Sequence, residues 1–173
     1  TIGGNPPTTP VPRAPEATCS GHQLINVIAA TDNGQSAAGR GPSLAIDDNL
    51  DPASRWEATG DAMAITFDLG ARHLVREVGI AWFEGDQRVA SFSILASLDG
   101  INFESLLTDQ QSSGETRSFE RYDTPDTPAR FIRIENFGNS LNSDNSIVEG
   151  TAFGCTLDTP VQVCAPGNGT ASD

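Results

Sequence analysis

Ile65-Thr66-Phe67-Asp68-Leu69-Gly70 decides the fold: three apolar side chains alternate with polar ones, and a glycine closes the run. That period of two is the signature of a strand with one face buried. The pattern recurs on the C-terminal side. Val78, Ile80 and Trp82 alternate before Glu84-Gly85-Asp86, and Phe92, Ile94 and Ala96 alternate before the turn Asp99-Gly100. Ile132 and Ile134 alternate with Arg133 and Glu135, and Ile147 to Phe153 supplies a last strand. Helical periodicity is nearly absent apart from a short piece around Ser43–Ile46. Short strands separated by turn signals predict an all-β sandwich or barrel.

The segments outside these strands differ in composition. Residues 1–17 carry Pro6, Pro7, Pro10, Pro12 and Pro15 among threonines and glycines, and read as an extended linker. Residues 156–173 read as a second linker. The folded part is then 18–155, a module of a multidomain protein, and no internal repeat is visible. The chain has 173 residues, 23 acids and 10 basic residues, all arginine, for a net charge of −13. Such acidity argues against nucleic acid and anionic membranes as partners. No stretch approaches the ~20 apolar residues of a spanning helix. The first residues lack the charged start and apolar run of a secretory leader.

Cys19, Cys155 and Cys164 lack zinc-type spacing, and only His22 and His73 are available as partners for thiolate chemistry. A structural disulfide is the favoured use, and it places the protein outside the cell. A Cys19–Cys155 bond would join the start of the first strand to the end of the last, contributing ~2–5 kcal/mol. Cys164 is left free, bonded elsewhere, or paired with Cys155 instead.

One loop is rich in oxygen donors: Leu44-Ala45-Ile46-Asp47-Asp48-Asn49-Leu50-Asp51-Pro52-Ala53-Ser54-Arg55-Trp56. Hard cations take six to eight oxygens from carboxylates, carbonyls and hydroxyls, which this loop supplies without the spacing of an EF-hand. The plainer reading is a solvated acidic turn. Glu149 stands in an apolar strand, where a carboxylate costs several kcal/mol unless a cation or donor meets it. The alternative is an edge strand on which Glu149 faces water.

The order of these elements carries a resemblance. Ala45-Ile46-Asp47-Asp48-Asn49, Ser54-Arg55-Trp56, the Ile65–Gly70 strand, Ser97-Leu98-Asp99-Gly100, Ala129-Arg130-Phe131-Ile132-Arg133-Ile134 and the closing strand with Glu149 resemble the discoidin fold. That is the C-type domain of coagulation factors and the family 32 carbohydrate-binding modules. The resemblance covers about residues 19–155. It implies a jelly-roll β-sandwich of about eight antiparallel strands with a buried structural calcium. The implied ligands are the carbonyl of Leu44, the carboxylate of Asp47, the carbonyl of Asn49 and the hydroxyl and carbonyl of Ser54. The carbonyl of Val148 and the carboxylate of Glu149 complete the set. Two residues, Asp51-Pro52, lengthen the loop, and Ser54 stands where threonine is commoner, so Asp51 is an alternative ligand.

Two further loops, Trp82-Phe83-Glu84-Gly85-Asp86-Gln87-Arg88 and Gly138-Asn139-Ser140-Leu141-Asn142-Ser143-Asp144-Asn145-Ser146, resemble those of family 32 modules appended to alginate lyases. In that architecture they share one end with the calcium loop and form a shallow pocket. Amides bond sugar hydroxyls, and arginine offers a planar fork to a sugar carboxylate. The candidate ligand-binding residues are Arg55, Arg88, Asp86, Asn139, Asn142 and Asn145, with Arg40 as a further arginine. An intradomain pair of Arg88 with Asp86 or Glu84 is the competing reading. Arg130 and Arg133 read as structural. Trp56 and Trp82 read as core, which leaves no tryptophan platform and a Kd of ~10⁻³ to 10⁻⁵ M.

Catalysis is disfavoured. No acid besides Glu149 has an apolar context, no Ser-His-Asp or Cys-His order with an elbow is present, and there is no phosphate loop. The expectation is a noncatalytic, secreted, monomeric module. It brings an appended enzyme to a polysaccharide, one containing uronic acid such as alginate. The alternatives are an adhesion-type discoidin domain binding protein or lipid, and a small polysaccharide-degrading enzyme.

Overall fold

A computed structural model of the chain describes residues 19–157. The Pro-rich segment 1–17 and Cys164 lie outside the described residues, as does most of the second linker. Thr156 and Leu157 do not belong to a linker: Thr156 ends the last strand, and Leu157 is buried against Leu74 and Cys155.

Eight antiparallel strands form the fold: β1 (Gln23–Ile25), β2 (Ala29–Asp32), β3 (Trp56–Thr59), β4 (Met63–Trp82), β5 (Ala90–Ser97), β6 (Glu104–Gln111), β7 (Glu120–Asn139) and β8 (Asp144–Thr156). The hydrogen-bonded order is β1-β8-β4-β7-β5-β6, with β2 added to β4 and β3 to β8. One 3-10 turn, Pro42–Ala45, stands where the short helical piece was expected. No described helix is long and apolar enough to cross a membrane.

The Ile65–Leu69 and Val78–Trp82 patterns are two halves of one strand, β4. Its first half pairs with β2 and the C-terminal half of β7, its second with β8 and the N-terminal half of β7. Register breaks between Asp68 and His73 and between Val75 and Glu77 mark the bend, and Gly70 adopts φ +76° there. The ladder therefore folds over on itself into a sandwich, as the bulges of long strands allow.

Inward positions from both halves share one core. Trp56, Ile65, Phe67, Val78, Ile80, Phe92, Ile94, Ile132, Ile134 and Ile147 are all buried in it. Each such side chain contributes ~1.5–3 kcal/mol by leaving water. Packing across the layers is tight: a Cβ at Gly150 would run into the Phe67 ring. Both tryptophans are core with their polar ends satisfied. Trp56 Nε1 donates to Asp32 Oδ2 at 2.9 Å and Trp82 Nε1 to the Tyr122 hydroxyl at 2.8 Å. Cys19 and Cys155 are disulfide-bonded with Cα atoms 6.1 Å apart.

Candidate functional site

The acidic loop leaves the 3-10 turn and winds through successive Asx turns, which is why acid or amide recurs at alternate positions. Asp47 Oδ1 accepts from the Asn49 amide (3.1 Å), Asn49 Oδ1 from Asp51 (3.0 Å) and Asp51 Oδ1 from Ala53 (2.8 Å). Asp48 sits at φ +58°. Ser54 is buried, and its hydroxyl donates to Asp47 Oδ2 at 2.5 Å. Arg40 donates to the Ala53 carbonyl, so it braces this loop from behind.

Glu149 meets the loop from β8. It is 6% exposed, with the backbone of Asp47 and Asn49 close to its carboxylate. Burial, reinforced by the charges of Asp47 and Asp48, pushes its pKa up to about 7. Its Oε2 is buried and has no hydrogen-bond partner among the described residues. A register shift pairs Ala81 with Glu149 but Trp82 with Ile147, so Val148 is the extra residue of a bulge, outside the ladder.

The fold thus brings Asp47, Ser54 and Glu149 together from distant stretches of chain. No cluster of three or more His, Cys, Asp or Glu side chains able to hold a metal occurs among the described residues. Any cation here relies on carbonyl and hydroxyl oxygens beside two carboxylates. An all-oxygen set with an orphaned carboxylate oxygen fits a hard divalent ion and not zinc. Asp51, the alternative ligand, is exposed and caps its own turn.

Next to this loop, the residues after β4 and the β7–β8 connection enclose a small, tight pocket of about 10 Å³ lined by Phe83, Arg88, Asn139, Asp144, Asn145 and Ser146, among others. Arg88 is 7% exposed. Its Nε donates to the Phe83 carbonyl at 3.0 Å, and its guanidinium lies 4.8 Å from the centre of the Phe83 ring. Burial lowers its pKa from the usual range, yet arginine stays charged. No carboxylate among the described residues lies within ion-pairing distance of it; Asp86 pairs instead with Arg117 at 2.7 Å. That pairing holds Asp86 below the ordinary carboxylate range.

Arg55 approaches the same ring, 3.9 Å from its centre, while bonded to Glu57 (2.7 Å) and the Pro52 carbonyl (2.8 Å). Arg55 therefore joins the acidic loop to the pocket.

The three asparagines have different duties. Asn145 is buried and spends its amide on the backbone, accepting from Gly138 at 2.6 Å and donating to Gly60 at 2.8 Å. Asn139 staples its own loop, donating to Asn142 Oδ1 and the Asp144 carbonyl, each at 2.7 Å. Asn142 is exposed, and its side-chain oxygen is used within that staple. Gly138 is required at the hinge, because φ is +83° and a Cβ would crowd the Asn142 carbonyl at 2.9 Å.

Phe83, Asp144 and Ser146 line the pocket but were not singled out as ligand-binding from sequence. Asp144 Oδ1 accepts from Thr59 at 2.8 Å, and the Ser146 hydroxyl is buried without a partner. The signal for Phe83 was parity: if Trp82 points into the core, its neighbour points out.

These features define a class: a β-sandwich with an oxygen-rich loop beside a pocket lined by Arg88. The sequence profile of the F5/8 type C domain matches residues 27–149, and the chain belongs to that family. Among solved structures it is similar to the CBM32 of AlyQ in complex with 4,5-unsaturated mannuronic acid. The two share 39% identity over 76% of this chain and 98% of that one, with a TM-score of 0.70. Truncated AlyQ with CBM32 and alginate lyase domains matches at 38% identity over 80% of this chain, with a TM-score of 0.72. The chain spans 35% of that structure. A family 89 glycoside hydrolase from Clostridium perfringens matches at 26% identity over 77% of this chain and 15% of that one, with a TM-score of 0.64. Among curated proteins none matches.

Proposed function

We propose that this chain is a noncatalytic carbohydrate-binding module for an acidic polysaccharide of the alginate type. In a longer secreted protein it brings an appended enzyme to that polymer by raising local substrate concentration. One observation carries the reading: Arg88, buried in the pocket, has no carboxylate partner among the described residues. A buried cation without an ion pair is costly, and a uronate carboxylate supplies the missing partner. The similarity to the AlyQ module solved with a mannuronic acid supports the same ligand class.

Arg88 holds the sugar carboxylate, with Arg55 beside it reinforcing the positive field. Asp144 and Ser146 of the lining bond hydroxyls, with the exposed amide of Asn142 outside the lining on the same loop, and Phe83 provides an apolar surface under the arginines. Calcium is the ion that the second loop would hold, through Asp47, Glu149 and Ser54 with the carbonyls of Leu44, Asn49 and Val148. When bound it supplies positive charge that offsets the buried carboxylates and stiffens the loop leading into Arg55.

Affinity electrophoresis in alginate gels and calorimetry with oligomannuronate test the reading. Wild type is retarded, and Arg88→Ala loses about 10- to 100-fold in affinity, the worth of a charge-assisted pair. Neutral glucan gives no retardation, and the isolated chain does not degrade alginate. Equal retardation of wild type and variant overturns the assignment.

A second reading has one observation in its favour. Leu50 and Leu141, 53% and 70% exposed in the two site loops, suit a protein or lipid surface. Liposome binding that Leu50→Ser and Leu141→Ser abolish, without alginate binding, would select it.

A further inference from the structure

The pocket loop Phe83–Val89 is held at its start, middle and end by one segment that does not line the pocket, Ser112–Tyr122. At the start, Trp82 Nε1 donates to Tyr122 (2.8 Å), whose hydroxyl donates to Glu120 (2.9 Å). Glu120 in turn accepts from the Ser113 amide (2.8 Å) and hydroxyl (3.0 Å). In the middle, the Thr116 amide donates to the Gly85 carbonyl at 3.2 Å, and Arg117 Nε donates to Asp86 Oδ1 at 2.7 Å. At the end, Ala90 and Ser112 exchange two bonds: the Ala90 amide donates to the Ser112 hydroxyl (2.8 Å) and the Ser112 amide to the Ala90 carbonyl (3.0 Å).

The loop so clamped is tightly turned. Glu84 sits at φ +52°, an uncommon conformation for a residue with a side chain. Its carbonyl accepts from the amides of Gln87 (2.8 Å) and Arg88 (3.1 Å). Gly85 has no room for a side chain, because a Cβ would run into the Thr116 carbonyl. The same turn delivers Arg88 to the pocket.

We infer that Ser112–Tyr122 is a brace that positions Arg88 for ligand, with Arg117 and Asp86 as a positioning pair that does not itself touch sugar. The inference rests on the reading of the pocket above and reassigns Asp86 from ligand contact to clamp. An arginine fork rewards only one orientation of a carboxylate, so loosening the turn that carries it lowers affinity without removing a contact.

The test measures oligomannuronate affinity by calorimetry, melting temperature, and hydrogen exchange of the 83–89 amides. The variants are Arg117→Ala, Asp86→Asn, their double, Arg117→Lys and Arg88→Ala. The pair is exposed, with side chains 50% and 38% accessible, so melting should move by no more than about 2 °C. Kd should rise about two- to fivefold in each single variant and by the same factor in the double, because the two residues act as one unit. Exchange at 83–89 should quicken, and Arg117→Lys should retain most of the affinity. Gly85→Ala, which displaces the brace through Thr116, should give a comparable loss and serves if Arg117→Ala fails to fold. Unchanged affinity in Arg117→Ala, additive losses in the double, or lost affinity with unchanged exchange each overturn the brace. If Arg88→Ala binds like wild type, the pocket reading fails and the brace with it. If Arg88→Ala loses affinity and Arg117→Ala does not, the brace alone fails.

Discussion

Replacing Glu149 by glutamine should stabilise the metal-free protein at alkaline pH and abolish its response to calcium. In the metal-free fold, burial first and then the charges of Asp47 and Asp48 raise the Glu149 carboxyl from 4.5 to about 7. A raised carboxyl favours the neutral form. Its contribution to stability is complete below the unfolded-state value and is lost as pH climbs through the folded one. At 1.36 kcal/mol per unit, the carboxylate costs the metal-free fold about 3 kcal/mol above pH 7. Glutamine keeps the shape and one acceptor oxygen and carries no charge. In chelator at pH 8 the variant should therefore melt roughly 6–12 °C above wild type, and at pH 4.5 the two should nearly coincide. Calcium should reverse the order at pH 8, raising wild type and leaving the variant where it was. The assay is a set of thermal melts at both pH values, in chelator and in calcium. If wild type and variant show the same pH dependence in chelator, or gain equally from calcium, the argument about Glu149 is wrong.

Asn145→Ala should destabilise the fold by about 2–4 kcal/mol, because it leaves the Gly138 amide and the Gly60 carbonyl unpaired inside the protein; denaturant titration measures this. If the variant is as stable as wild type, the loop is not held as described. Replacing Cys19 and Cys155 by alanine opens a closure of 136 residues and should cost about 5 kcal/mol on the chain-entropy estimate. A loss below about 1 kcal/mol in denaturant would refute an entropic role.

Alternation alone made most of the sandwich legible. Ile65, Phe67 and Leu69, then Val78, Ile80 and Trp82, showed which face each run buries. It did not reveal that both runs are one strand, because Gly70-Ala71-Arg72 interrupts the pattern at the bend and looks like a turn. At the site, the convergence of Asp47 with Glu149 was legible through family resemblance and through the cost of an acid in an apolar strand. The asparagines were less so. An amide free for a ligand and one that bonds backbone have the same sequence signature, and only burial separates Asn145 from the exposed Asn142. Asp86 has its partner at Arg117, 31 residues away across the fold, so spacing pointed to Arg88 instead. The burial of Arg88 was invisible for a related reason: it comes from the fold of the turn around it and from the β7–β8 connection, which nothing in the local sequence announces.

The bond between Cys19 and Cys155 also governs how the domain carries load. Residues 1–18 precede Cys19 and residues 156–173 follow Cys155, and these two cysteines lie 6.1 Å apart at Cα. Tension applied through the outer segments therefore passes straight across the sulfur bridge. The 135 residues between them, with the pocket among them, are bypassed, so the shape of the pocket is insulated from mechanical pull until that covalent link is cut.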